Sequence, residues 1–260
     1  MKTLAAMMQR DLLVLRRSLA ALVVRVTVQP VLFLFVFGYV FPRIGFTVGG
    51  EAHGEEFNGY IVTGTIGVTA VLQGIPAVGM PLITDLAFTR EIEDRAMAPA
   101  PIWLLPLQKT LAGAVECVLA ALVVVPLALT LPAGAVPISI HWPLFALTLV
   151  VGAILGACLG LAIGTNFSAE RLPWIYTLIA IPMTFLGAAW YPWSRLDAIP
   201  WLQTLLLLNP LVYVNESMRA ALLQGGIHMS VVVALALALT AAGLLFIAGA
   251  RGLGVRLRGD

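Results

Sequence analysis

Charged residues concentrate in one short stretch of this chain, TREIEDRAMAPAP, at residues 89–101. Five of the six positions from 90 to 95 are charged, and both signs occur: Arg90, Glu91, Glu93, Asp94 and Arg95. A mixed cluster of this kind can pair with both signs on a protein partner, which gives an interface register and specificity. The alternative is a solvated loop that only orients the chain in a membrane. Three of the five charges are acidic, however, and acids contribute little to orientation.

No second group of residues carries recognisable reaction chemistry. The sequence has no G-x-S-x-G nucleophile motif. It has no Walker A motif, because neither Lys2 nor Lys109 follows the required glycine. Two cysteines and three histidines are scattered without metal-ligand spacing: Cys117, Cys158, His53, His141 and His228. We therefore expect no catalytic residues, no metal and no cofactor in this chain.

The composition is typical of a membrane protein. Hydrophobic residues make up 60% of the 260 positions and charged residues 11%, where soluble domains have about 25% charged. A bilayer is crossed by roughly 20 apolar residues, and six stretches fit, at about 22–41, 59–83, 110–131, 143–165, 172–192 and 230–250. Because lipid cannot satisfy open backbone groups, each span must be helical. The sequence predicts an all-α membrane protein, a single domain over 1–260 with six transmembrane helices.

Basic residues predict the orientation of these spans. With both termini in the cytoplasm, 12 Lys and Arg residues lie inside and only Arg43, Arg195 and Arg219 lie outside. This strong positive-inside bias favours a multi-pass protein with both termini cytoplasmic. The charged stretch then lies in the cytoplasm, between spans two and three.

The segment before the first span has the pattern of an amphipathic helix. Over residues 2–22, leucines and a methionine recur on one face at about 100° per residue, while the basic residues lie roughly opposite. A basic amphipathic helix beside a span indicates a helix lying in the cytoplasmic interface. The alternative is a plain extension of the first span.

The sequence shows two further features inside the spans, a row of glycines and one acidic residue. Span four has a glycine at every fourth residue, a spacing that lets another helix approach closely: Gly152, Gly156, Gly160 and Gly164. Glu116 is an acid well inside span three. An intramembrane carboxylate marks a pathway or an interface by default, but Glu116 could also snorkel to the cytoplasmic surface.

Between spans five and six, two apolar pieces are too short to cross a bilayer. They occupy 200–208 and 211–223, with Asn209-Pro210 between them. We expect two short re-entrant helices at the outer side, within a segment of about 196–225. Glu216 and Arg219 are three residues apart, so the two side chains could pair on one helix face.

Two stretches of this sequence resemble a known family. They are FTREIEDRAMAPAP between spans two and three and FLGAAWYP…IPWLQTLLLLNPLVYVNESMRAALL before the last span. With them the chain resembles, over nearly its whole length, the permease subunits of type-2 ABC exporters, and its compact loops are similar to those of the drug-efflux branch.

The resemblance implies a working assembly larger than this chain. It implies a second permease chain, two cytoplasmic ABC ATPase subunits that hold ATP and Mg, and a location in the bacterial plasma membrane among membrane lipids. No nucleic acid partner is implied. It also implies that residues of about 87–98 form a coupling helix that sits in a groove of the ATPase, so that Arg90, Glu91, Glu93, Asp94 and Arg95 would contact the motor.

Three classes of function remain open from the sequence. The resemblance favours a permease that exports a hydrophobic or amphipathic substrate, such as a drug, lipid or glycolipid, with polysaccharide or lipid-linked oligosaccharide export as an alternative. An ion-coupled secondary transporter is a second alternative, disfavoured because the spans carry almost no carboxylates for an ion site. A membrane enzyme or scaffold is disfavoured because the catalytic residues are missing.

Overall fold

The computed structural model describes residues 2–45, 54–86, 103–133, 136–223, 225 and 227–258, and most of them are helical. The helices in chain order are α1 (Lys2–Arg17), α2 (Leu19–Phe33), α3 (Gly54–Leu72), α4 (Leu104–Thr130), α5 (Trp142–Asn166), α6 (Leu172–Phe185), α7 (Pro200–Leu206), α8 (Pro210–Leu222) and α9 (Val231–Arg258). Short 3₁₀ turns precede α6 and α7, at Ala169–Arg171 and Trp193–Ala198. The predicted all-α membrane fold is confirmed.

Two of the long helices change winding partway. Helix α2 continues as a π-helical segment, Leu34–Val40, and a last turn, Phe41–Arg43. Helix α3 leads into a π-helical segment, Ile75–Gly79, and a last turn, Met80–Thr84. Pro76 lies in the second segment and has no N–H to donate, so the α-helical ladder cannot pass through it unchanged. Such π segments often mark functional positions in helices.

Five helical stretches in the described part of the chain are long and apolar enough to cross a bilayer: Leu19–Arg43, Glu55–Thr84, Leu104–Thr130, Trp142–Asn166 and Val231–Leu257. The predicted fifth span, 172–192, contains a shorter helix. Helix α6 has 14 residues, about 21 Å at the α-helical rise, against a hydrocarbon core of about 30 Å. The chain continues from Phe185 as turns, so the six-span topology stays a prediction.

Helix α5 lies at the centre of the fold. Of its most apolar 18-residue window, 72% is buried, against 22% for α2 and 17% for α9. Its glycines allow this burial, because they face the backbone of α3 and its π segment. A Cβ on Gly156 would overlap the Val71 carbonyl, and one on Gly160 would overlap the Gly74 carbonyl.

The two ends of the glycine row meet different neighbours. A Cβ on Gly164 would lie 3.0 Å from the Gly79 Cα, while one on Gly152 would lie 2.9 Å from a methyl of Val214 in α8. The glycine row therefore packs against helices of the same chain. Its main partner is α3 with the π segment that follows, and α8 packs against the Gly152 end.

Helix α1 is separated from α2 by a single residue. Ser18 has φ −101° and ψ 7°, which ends the α1 helix, and its hydroxyl donates to the Val14 and Leu15 carbonyls, each at 3.2 Å. Helix α1 is tied to α4 by a hydrogen bond from the Gln108 amide to the Asp11 carboxylate. Its place in the membrane interface stays a prediction.

Candidate functional site

A cleft of about 270 Å³ opens between α2, α3 and α6. We call it the central cleft. The α3 residues that line the cleft, between Thr65 and Leu72, recur at spacings of three and four positions, so they form one face of that helix. The described residues lining the cleft are Arg25, Val26, Gln29, Pro30, Phe33, Thr65, Val68, Thr69, Leu72, Gln73, Pro76, Met80, Tyr176, Thr184 and Trp190. Most of this surface is apolar. The charged Arg25 and the amide of Gln73 lie at one end, and Thr65 and Trp190 lie at the other.

The polar end of the central cleft is organised by Glu116. Its carboxylate lies 2.5 Å from an Arg25 guanidinium nitrogen and accepts a hydrogen bond from the Gln73 amide at 3.2 Å. Glu116 thus joins α4 to α2 and α3, with only 18% of its side chain exposed. Charged groups within membrane helices usually have a partner of this kind. Arg25, one of the 12 basic residues counted as cytoplasmic, lies within α2.

Aromatic rings close the opposite end. Phe33 of α2 stacks on Trp190, with ring centroids 5.0 Å apart and planes 10° apart, and Phe185 meets Trp190 edge-on at 5.3 Å. Thr65 Oγ1 and Trp190 Nε1 are buried there without a hydrogen-bond partner in the described part of the chain. The central cleft therefore has a charged end and an aromatic end.

A second cleft, of about 510 Å³, lies between α1, the start of α2, the π segment after α3, and α4. It shares Arg25 and Pro76 with the central cleft. Three basic and three acidic residues line its described part: Arg10, Arg25, Lys109, Asp11, Asp85 and Glu116. Lys109 pairs with Asp85 at 2.8 Å, and neither side chain is more than 18% exposed. This ion pair joins α4 to the end of the chain segment that leads to residue 87.

The predicted pair Glu216–Arg219 forms the core of a buried polar network. Both side chains are fully buried, and the guanidinium group bonds to the carboxylate across one helical turn of α8. Glu216 also accepts from the backbone N–H groups of Trp193 at 2.9 Å and Met229 at 2.8 Å. The pairing follows from the spacing; the complete burial could not be read from it.

Arg219 connects the same network to two other parts of the chain. It donates to the backbone carbonyls of Ala188 at 2.7 Å and Tyr191 at 3.2 Å. Its guanidinium carbon lies 5.0 Å from the centre of the Tyr60 ring of α3, within cation–π range. The Glu216–Arg219 pair therefore holds together α3, α8, the turns after α6 and the segment before α9.

Asn209 caps the N-terminus of α8, and Pro210 is the first residue of that helix. The Asn209 side-chain oxygen accepts from the Leu211 N–H at 3.0 Å, and Pro210 takes the first helical position, where its missing N–H costs nothing. The Asn209 amide also donates to the Met183 carbonyl at 2.9 Å. Asn215 likewise donates to the Gly187 carbonyl at 2.7 Å. The amides of Asn209 and Asn215 and the guanidinium group of Arg219 thus donate to carbonyls in the last turn of α6 and in the turns that follow it.

The charged cluster at 90–95 lies outside the described residues, as does the whole predicted coupling helix of 87–98. The other predicted site residues fall into separate groups. Glu116 lines the second cleft and contacts Arg25 at the end of the central cleft. The glycines of α5 face α3, its π segment and α8, and the remaining four residues lie on α8 or directly before it. Within the described chain, no group of three or more His, Cys, Asp or Glu side chains could hold a metal ion.

Sequence reasoning missed Arg25 and Gln73, the partners of Glu116. A signal was present, since Arg25 and Gln73 are both polar residues next to long apolar runs. Their meeting with Glu116 depends on three helices that are distant in the chain, so the sequence alone could not reveal it.

Comparison with known proteins assigns the chain to a family. A search of curated proteins finds no match. A family profile described as ABC-2 type transporter matches residues 2–223, from the start of α1 through the end of α8. The domain of this family is a transmembrane subunit, is not itself an ATPase, and implies an ABC ATPase partner. With its apolar helices of membrane-crossing length, the chain belongs to the ABC-2 type transporter family and is a multi-pass permease subunit of an ABC transporter.

Proposed function

We propose that this permease exports hydrophobic or amphipathic molecules from the cytoplasm or the inner leaflet, in the bacterial plasma membrane, with both termini cytoplasmic. The observation that carries the proposal is the central cleft, whose lining is mostly apolar and carries a charged side chain, Arg25, at one end. Apolar clefts with a few convergent polar groups are the usual form of small-molecule sites. An amphipathic substrate matches both parts of this surface.

Conformational change is supported by the helices that form the cleft. The π segment Ile75–Gly79 follows the part of α3 that lines it, and Pro76 belongs to both clefts. A broken hydrogen-bond ladder is a natural hinge, because it bends at less cost than an intact helix. In this proposal the cleft opens alternately to the two sides by movement about that segment.

Energy enters through a separate ATPase in the proposal. We assign ATP and Mg to two cytoplasmic ATPase subunits, which bind two copies of this permease through the coupling helix of about 87–98. The Asp85–Lys109 ion pair supports this path, because it fixes the chain two residues before that segment against α4. Motion of the coupling helix would then act directly on α4 and on the hinge after α3.

The proposal is tested by blocking the central cleft. The permease is purified with its ATPase, reconstituted into liposomes, and assayed for ATP-dependent movement of an uncharged fluorescent amphiphile, dansylaminoundecanamide. Val68→Trp places an indole in the cleft and should abolish transport without preventing ATPase capture. The matched control is Val232→Trp in α9, at a side chain that is 78% exposed. Normal transport by the Val68 variant, or no ATP-dependent transport by the wild type, would overturn the proposal.

A further inference from the structure

Arg25 is the only charged side chain among the described residues that line the central cleft. Its side chain is 49% exposed, although it lies within a helix long enough to cross a bilayer. The cleft therefore presents a guanidinium group at one end of a mostly apolar surface. A guanidinium group matches phosphate and carboxylate in shape, because its N–H donors can bind two oxygens at once.

Glu116 contacts Arg25 from the direction of the second cleft. It lines that cleft and not the central one, and its hydrogen bond uses a single terminal nitrogen of the guanidinium group, Nη2. A guanidinium group has five N–H donors, so this contact leaves donors for a second oxygen ligand. The carboxylate neutralises the arginine while the cleft is empty and competes with any anion that arrives.

The remaining lining fits the body of an amphiphile. Gln29 lies one turn beyond Arg25 on the same face of α2, and Phe33 lies one turn further. From Arg25 to Phe33 the helix rises about 12 Å, which is comparable to an extended acyl chain of medium length. Val68 and Leu72 form the facing wall, and Trp190 stacks on Phe33 at the end.

We propose that the central cleft selects amphiphiles with an anionic head group, phosphate or carboxylate, which Arg25 binds while the apolar tail lies toward Phe33 and Trp190. This inference rests on the proposed export function and names its substrate class. Glu116 sets the affinity, because an incoming anion must share or displace its contact with Arg25. A cationic head group would meet a like charge in the cleft and should be rejected.

The test measures head-group preference directly. The full-length permease, purified from membranes with any bound ATPase, is placed in phosphatidylcholine nanodiscs. It is titrated with three probes that share one dansylaminoundecanoyl tail and carry a carboxylate, a neutral amide or a trimethylammonium head. The wild type should bind the carboxylate probe about tenfold more tightly than the amide, a difference of about 1.4 kcal/mol. It should bind the cationic probe most weakly.

Two substitutions give opposite expectations. Arg25→Gln should remove the tenfold preference for the carboxylate probe over the amide probe, and a monodisperse size-exclusion peak shows that the variant is folded. Glu116→Gln should tighten binding of the carboxylate probe several-fold, because the internal competitor loses its charge. The control is Arg195→Gln, which breaks an exposed pair with Glu56 away from the cleft and should change nothing. If Arg25→Gln fails to fold, the Glu116→Gln result decides.

A second arm identifies the source of the anion. Phosphatidic acid in the nanodisc should displace the carboxylate probe if membrane lipids share the site, whereas failure to displace it confines the site to single-chain amphiphiles. Equal affinities in the wild type, tightest binding of the cationic probe, or unchanged carboxylate affinity in Glu116→Gln would overturn the inference. If the uncharged probe were still exported, only the head-group assignment would fall; loss of ATP-dependent transport would instead remove the proposed function.

Discussion

Removing Arg219 should destabilise this permease more than removing an exposed charged residue does. The substitution Arg219→Met keeps side-chain volume but removes every donor of the guanidinium group. Glu216 is then left as a fully buried carboxylate with two backbone N–H partners among the described residues. The carbonyls of Ala188 and Tyr191 also lose the donor that satisfies them.

The magnitude follows from burial. Breaking a buried ion pair by removing one partner costs about 3–5 kcal/mol, because the remaining charge is uncompensated. For a protein of this size that corresponds to a melting temperature lower by roughly 6–20 °C. The exposed pair Arg195–Glu56 provides the contrast: its side chains are 46% and 47% exposed, and such pairs contribute at most ~1 kcal/mol. Arg195→Gln should therefore lower the melting temperature by a few degrees at most.

The assay is thermal unfolding of detergent-purified protein, followed by fluorescence-detected size exclusion. A double variant, Glu216→Met with Arg219→Met, should lose less stability than the two single variants combined, because neither charge remains buried alone. Equal melting temperatures for Arg219→Met and Arg195→Gln would refute the reasoning. The buried network would then be a static contact without net energetic weight.

Two further predictions concern packing and coupling. Gly156→Leu should reduce the yield of folded protein in the same size-exclusion assay, because its side chain would overlap the Val71 backbone, and overpacking typically costs 1–3 kcal/mol or more. Gly243→Leu is the control, since a Cβ there has no neighbour within 4 Å in the described part of the chain; equal yields of the two variants would contradict the close packing of α5 on α3. The triple variant Glu91→Lys, Glu93→Lys, Asp94→Lys reverses three charges of the cluster. It should reach normal abundance in membranes but lose ATPase copurification, because like charges would then face each other. Normal ATPase capture would rule out a coupling role.

Hydropathy predicts the long helices closely because each helix must be stable in lipid by its own composition. The predicted spans 143–165 and 110–131 correspond to helices Trp142–Asn166 and Leu104–Thr130. The predicted span 172–192 differs more, since its helix ends at Phe185. The end of that helix depends on amide and guanidinium donors from α8, which are supplied by tertiary contacts. No apolar count along the chain could have located it.

The polar contacts likewise divide into those that the sequence predicts and those that it does not. Glu216 and Arg219 are three residues apart, so their pairing is a local property of one helix and was predictable. Arg25 and Glu116 are 91 residues apart in the chain, and their pairing depends on how α2 and α4 are rotated about their axes. Hydrophobic periodicity reports that rotation poorly in lipid, where several faces of a helix are apolar.

The contrast between the two ion pairs bears on how such a permease could work. Glu216–Arg219 is fully buried and joins four parts of the chain, so the region around α8 is expected to move as one unit. Arg25–Glu116 is partly exposed and lies beside the proline-containing π segment after α3. A pair that solvent or substrate can reach costs less to separate than a buried one. Movement that opens the central cleft should therefore break the contact at Arg25 and leave the network at Arg219 intact.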